Sequence, residues 1–175
     1  VLFEQIQGKV GIVRPTFEEY PNRLSPEQVV DYQIKTPQFS YSADDLMTYF
    51  EDKKISSLVL VNPDNPTGNY IPYKDCLRLA QWCEERDIMF ILDESFIDFS
   101  CEHPTFICNE VLEQFGCLVI IKSISKSYGV PGLRLGILAS SNVKLMANIR
   151  RSVSIWNINS FAEFFLQILG KYERC

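Results

Sequence analysis

Short unbroken apolar runs alternate along the chain with stretches whose apolar residues recur every three or four positions. The runs "KVGIV" (9–13), "VVDYQI" (29–34), "SSLVLV" (56–61), "IMFIL" (88–92), "CLVII" (117–121) and "LRLGILA" (133–139) predict strands, because apolar continuity over so few residues suits a strand covered on both faces. Between them, "SADDLMTYFEDKK" predicts a helix with Ser42 as N-cap, Asp44 and Asp45 in the first turn and lysines at its end. A second helix is predicted from Pro72 to about Arg86, with Cys76, Leu77, Ala80 and Cys83 on one face. Residues 107–115 predict a third, and the pattern turns helical again from about Asn142, with a break near "SIWNIN" (154–159). Helices alternating with buried strands predict an α/β domain, a three-layer sandwich around a mostly parallel sheet. No internal repeat and no low-complexity linker interrupts it.

Composition narrows the function classes. At 175 residues the chain suits one domain, residues 1–175, with a sizeable core. The net charge is 17 minus 22, or −5, without a long basic run, which argues against nucleic-acid or membrane-surface partners. The six cysteines, at 76, 83, 101, 108, 117 and 175, form no C-x-x-C pair, and His103 is the single histidine. Neither a zinc site nor a disulfide framework is therefore expected, but reduced thiols in a cytoplasmic protein. No signal peptide and no 18-residue apolar run is found. The chain opens on "VLFEQIQGK" without an initiator Met and stops at Cys175 after a helical pattern, as a piece of something longer would.

Parallel sheets bind ligands beyond the carboxyl ends of their strands, and three chemically rich loops fall there: "NPDNPTG" (62–68), "DESFIDF" (93–99) and "KSISKS" (122–127). "IMFILDE" has the form of a Walker B strand, but G-x-x-x-x-G-K-[ST] is missing, which argues against a nucleotide hydrolase. Ser123 to Lys126 matches S-x-x-K, yet its companions S-D-N and K-T-G are missing. Asp93, Glu94 and Asp98 could be imagined around magnesium. Residues 93 and 94 point to opposite faces of an extended segment, however, so no metal is expected and Glu94 and Asp98 are read as satisfying local partners.

Taken in order, "NPDNPTG", "LDESFIDF" and "SISKSYGVPGLRLG" resemble the fold-type I aminotransferases dependent on pyridoxal 5'-phosphate (PLP). "PTFEEY" (15–20) and "SIWNINSFA" (154–162) also resemble the branch holding histidinol-phosphate aminotransferases and threonine-phosphate decarboxylases. The resemblance implies the large, cofactor-binding domain of such an enzyme. It casts Lys126 as the Schiff-base lysine and proton shuttle and Asp93 as the partner of the pyridine nitrogen. Asn65 would donate to the phenolic oxygen, and Phe17 would stack on the ring. Ser123, Ser125 and Arg134 would hold the phosphate, with Gly129 and Gly132 letting the chain turn so that Arg134 returns to it. Ser127 and Tyr128 receive no role.

Many members of the family carry Tyr three residues after the aspartate; Phe96 stands here and cannot donate, a spelling closer to the threonine-phosphate decarboxylases. The family's phosphate-capping turn is expected before Val1, and its carboxylate-clamping arginine in a small domain after Cys175, leaving this piece incomplete for catalysis. The expected activity is amino transfer between an amino acid or phosphorylated amine and a 2-oxo acid or ketone, in a homodimer. The alternatives are decarboxylation of a phosphorylated amino acid and, in another class, a non-catalytic folding or dimerisation domain.

Overall fold

The computed structural model describes residues 1–100 and 105–172. The expectations resting on Cys101, His103 and Cys175 lie outside the described residues. Among the described residues six strands form one sheet: β1 (Lys9–Arg14), β2 (Val29–Gln33), β3 (Ile55–Val61), β4 (Met89–Asp93), β5 (Leu118–Ser123) and β6 (Gly136–Ala139). Their spatial order is β2-β1-β3-β4-β5-β6. The first five run parallel and β6 closes the edge antiparallel to β5. The helices are α1 (Ala43–Phe50), α2 (Tyr73–Glu84), α3 (Asn109–Gln114), α4 (Ile124–Ser127), α5 (Val143–Ser152) and α6 (Ser160–Tyr172).

Side-chain alternation along the strands builds two cores. Leu58, Leu60, Phe90, Leu92, Leu118 and Ile120 face the layer of α1, α2 and α3. Val59, Val61, Ile91 and Val119 face Leu145 and Ile149 of α5 and the N-terminal Leu2 and Ile6. Both faces of the sheet are thus covered, which is why its strands read as apolar runs rather than alternating ones. Beyond β5, a third cluster joins Ile124 and Leu135 to Ala162 of α6. Among the described residues no helix is long and apolar enough to cross a membrane.

Local signals explain most boundaries. Ser42 accepts the Asp45 N–H at 3.2 Å while its own N–H donates to the Asp45 carboxylate at 2.9 Å, a reciprocal cap that starts α1. That helix stops at Phe50, and the lysines expected in its last turn lie in the connection to β3 instead, with Lys54 at φ 49°. On α2, Cys76, Ala80 and Cys83 are buried as expected, joined by Leu79 in place of the half-buried Leu77. The largest departure is at the sixth strand, which starts at Gly136 rather than 133. Residues 131–133 form a 3-10 turn, and Arg134 sits in the left-handed region at φ 53° and ψ 44°.

Gly11 of β1 lies against Phe50 of α1. A Cβ there would meet Phe50 Cε1 at 2.8 Å and Ile55 Cδ1 at 3.0 Å, both in the packed core. Gly11→Ala is predicted to destabilise the domain by about 1–3 kcal/mol through overpacking, measured as a lower urea midpoint at unchanged m-value.

Candidate active site

The strand order places β2 on one side of β1 and β3 on the other. The loops leaving β1 and β3 therefore diverge, and a crevice opens at the carboxyl edge of the sheet, the ligand position of open α/β sheets. A cavity of about 230 Å³ lies there. Phe17 and Tyr20 line it from the loop after β1, Val61 and Asn65 from the end of β3, Asp93, Ser95 and Phe96 from β4, and Ile121, Ser123, Lys126 and Arg134 from β5 and beyond. Six of the seven expected site residues thus meet in one place: Phe17, Asn65, Asp93, Ser123, Lys126 and Arg134. The seventh, Ser125, lines an adjoining depression of about 210 Å³ that shares Ser123 and Arg134 with the first.

Asp93 is buried at the end of β4, 6% exposed. One carboxylate oxygen accepts the Ser95 N–H at 2.8 Å, and the other accepts the hydroxyl of Tyr20. Glu94 points the opposite way, as expected, and accepts Thr105 Oγ1–H at 2.6 Å and the Phe106 N–H at 2.8 Å. Asp98 also has local partners: it takes Lys122 Nζ at 2.8 Å and the hydroxyl of Ser127. Through that contact Ser127, which had no assigned role, fastens the lysine turn to the loop after β4. Ser95 adds a second tie, its Oγ accepting the Ser123 N–H at 2.9 Å.

Lys126 lies on α4, its Nζ 4.7 Å from the centroid of Phe96, within the range of a cation–π contact. Among the described residues, neither Lys126 nor Arg134 has a carboxylate within ion-pair distance. Ser125 Oγ is buried and has no hydrogen-bond partner among the described residues, which is uncommon for a buried hydroxyl. The turn that brings Arg134 to the cavity uses Gly129 at φ 61° and Arg134 itself at φ 53°. Gly132, expected to share that work, sits in the 3-10 turn without a positive φ. A left-handed arginine costs roughly 1–2 kcal/mol, a strain of the kind that gathers at functional sites.

The loop after β3 is held as firmly. Asn62 Nδ2 donates to the Ile71 carbonyl at 2.9 Å and its Oδ1 accepts the Ile71 N–H at 2.8 Å. Gly68, at φ 75°, donates its N–H to the Asp64 carbonyl at 2.9 Å, and Thr67 donates to the Asp64 carboxylate. Asn65 is thereby presented from a braced turn. Sequence reasoning gave no role to Tyr20 or Ser95. Tyr20 carried a signal in "PTFEEY", three residues after Phe17, but a tyrosine there could equally fill the core.

Residues 2–170 match the family of aminotransferases of class I and II, and the chain belongs to that family. It is 34% identical over 173 residues to a CMP-5'-(3-aminopropyl)phosphonate synthase of Streptomyces rubellomurinus, covering 99% of this chain and 27% of that protein. It is 33% identical to an L-serine phosphate decarboxylase of Campylobacter jejuni, covering 96% of this chain and 44% of the relative. The crystal structure of the histidinol-phosphate aminotransferase from Clostridium acetobutylicum superposes with a TM-score of 0.79 at 26% identity, over 94% of this chain and 48% of that one. This chain is also similar to a threonine-phosphate decarboxylase. The chain spans less than half the length of these relatives.

Glu94 supplies a pH handle beside the site. Burial, the dominant cause, raises its carboxyl above the ordinary range, opposed by the donors from Thr105 and Phe106 and by the charge of Lys122. Because the folded value lies above the unfolded one, of about 4.3, stability tied to neutral Glu94 is full below the unfolded value. It is lost as pH rises through the folded value. In urea titrations, Glu94→Gln should gain on the wild type as pH rises above the ordinary glutamate value of about 4.3, because the glutamine does not ionise; a difference that stays constant from acid to neutral pH would contradict the assignment.

Proposed function

We propose that this chain is the cofactor-binding large domain of a PLP-dependent aminotransferase that moves an amino group between an amino acid or phosphorylated amine and a 2-oxo acid or ketone. The observation that carries the reading is the convergence of Phe17, Asn65, Asp93, Ser123, Lys126 and Arg134 on one cavity at the switch point of the sheet. These residues come from the carboxyl ends of four different strands and the loops that follow them, and each offers a group that PLP needs.

The donor set fits the cofactor. The buried hydroxyl of Ser125 has no partner and lies beside Ser123 and Arg134; a phosphate there would satisfy it, with Arg134 offering its planar fork to two oxygens. Asp93, buried and doubly hydrogen-bonded, is placed to hold a proton at the ring nitrogen. Asn65 would donate its amide to the phenolic oxygen and be its main support, because Phe96 cannot donate. Phe17 would cover one ring face. When bound, PLP supplies an electron sink for the electrons of a broken Cα bond. Lys126 would bond to the cofactor aldehyde with loss of water and, once displaced by the amine of the substrate, would carry the proton to or from Cα as general base and acid; its Nζ lies 4.7 Å from the centroid of Phe96.

A second reading keeps every residue in place and replaces amino transfer by decarboxylation of a phosphorylated amino acid. The likeness to the L-serine phosphate decarboxylase and Phe96 in "DESFIDF" favour it. The reading sets the protein in the cytoplasm as a homodimer, which would cover the exposed apolar side chains Ile155, Trp156 and Phe161, each at least 80% exposed, the kind of surface that proteins cover.

With the full-length protein, incubation with PLP followed by borohydride should leave one reduced adduct, on Lys126 by peptide mapping, and Lys126→Ala should abolish it. Asp93→Asn should weaken PLP binding about tenfold to hundredfold, the worth of a hydrogen bond to a charged group. Release of carbon dioxide rather than a 2-oxo acid from O-phosphoserine or O-phosphothreonine would decide for the second reading. An adduct elsewhere, or none, would refute both.

A further inference from the structure

The two sides of the crevice are joined by one side chain. Tyr20 belongs to the loop after β1 and Asp93 to the end of β4, with β3 lying between those strands. The Tyr20 hydroxyl crosses that gap and donates to Asp93 Oδ2, a buried contact between residues 73 apart in sequence. The Ser95 N–H occupies Oδ1 from the other side at 2.8 Å. A carboxylate has roughly four acceptor positions, so these two donors fix the group while leaving it able to accept a third from the cavity.

Tyr20 has little freedom to leave. It is 6% exposed, and its ring packs against Phe3 at 5.5 Å and edge-on to Phe17 at 5.8 Å and 83°. Burial first, and then the charge of Asp93, push its hydroxyl far above the ordinary phenol range. It therefore stays protonated, a permanent donor. A tyrosine serving only as core filler would need no carboxylate, and a carboxylate serving only as a turn cap would need no tyrosine. Both line the same cavity.

We propose that Tyr20 is a positioning residue for the ring of the cofactor: its hydroxyl fixes the orientation and charge distribution of the Asp93 carboxylate that meets the ring nitrogen. The proposal rests on the reading that the cavity holds PLP. It adds that the strength of that pairing is set from the opposite side of the switch point, through a residue that need not touch the cofactor itself. Tyr20 acts on the cofactor only through Asp93, so the two residues form one unit.

The test uses full-length protein and PLP as the probe. Tyr20→Phe keeps the ring and its contacts with Phe3 and Phe17 and removes only the hydroxyl. Its PLP dissociation constant, from absorbance titration, should rise about tenfold, and the 15N resonance of the ring nitrogen of labelled PLP should move. On an Asp93→Asn background the same substitution should change the constant less than twofold, because residues acting as a unit are not additive. A merely structural tyrosine would give equal factors on both backgrounds and an unmoved 15N signal, and that result would overturn the proposal. Should Tyr20→Phe fail to fold, 3-fluorotyrosine at position 20 keeps the shape and strengthens the donor. The 15N signal should then move, in the direction opposite to any effect of removing the hydroxyl, and an unmoved signal would again overturn it. Wild-type protein without a PLP adduct on Lys126 would overturn the functional reading as well, an outcome separate from a wild type that binds PLP and is indifferent to Tyr20.

Discussion

A carboxylate held in the interior at the end of the central strand is the constraint around which the rest of the crevice is arranged. Taking an ionised group out of water is costly unless hydrogen bonds or an opposite charge replace the solvent. Asp93 receives two such bonds, from Ser95 and from Tyr20. Both depend on the sheet: Ser95 lies two residues past Asp93, the last residue of β4, and Tyr20 reaches the carboxylate because the loops leaving β1 and β3 diverge at the switch point. The parallel register of β3, β4 and β5 brings Val61, Asp93 and Ile121 level, so the loops beyond them open on the same edge. Geometry of this kind is set by backbone pairing and survives wide variation in side chains elsewhere.

Around that carboxylate the loops are tied to one another rather than only to their own strands. Ser95 bonds the backbone of Ser123, and Asp98 takes both Lys122 and Ser127. The turn carrying Lys126 is therefore fastened to the loop after Asp93 at three points. Such bracing would matter for Lys126 in the proposed role, because sub-ångström placement decides whether a bound group is met in a reactive geometry. The left-handed Arg134 belongs to the same economy: its backbone strain is held in place by the packing of Leu135 with Ile124 and Ala162.

How much of this was legible in the sequence differs by physical cause. Strands buried on both faces announce themselves as apolar runs, and Ser42 with Asp45 announced the start of α1 through a purely local hydrogen-bond exchange. The candidate site is legible where its chemistry calls for particular residues in order: Asn65, Asp93, Ser123, Lys126 and Arg134 stand out in the sequence, and all line the crevice. What escaped was non-local. Residues 133–135 look like the start of a strand because Leu-Arg-Leu alternates, yet Leu135 is buried against Ile124 and α6, while Arg134 turns left-handed toward the cavity. The lysines after Phe50 looked like a helix end, but the chain turns early to enter β3. Tyr20 was the clearest loss, since its partner lies 73 residues away and no periodicity or spacing encodes a contact at that range.

The central claim is that one cofactor is shared by Asp93, Lys126 and the Ser123–Ser125–Arg134 cradle. A crystal structure of the full-length protein soaked with PLP tests it most directly. The account predicts a ring nitrogen about 2.7–2.9 Å from the Asp93 carboxylate, continuous density from the cofactor to Lys126 Nζ, and the phosphate against Ser125 Oγ and Arg134. PLP bound through another lysine, or a crevice left without cofactor at saturating PLP, would contradict it.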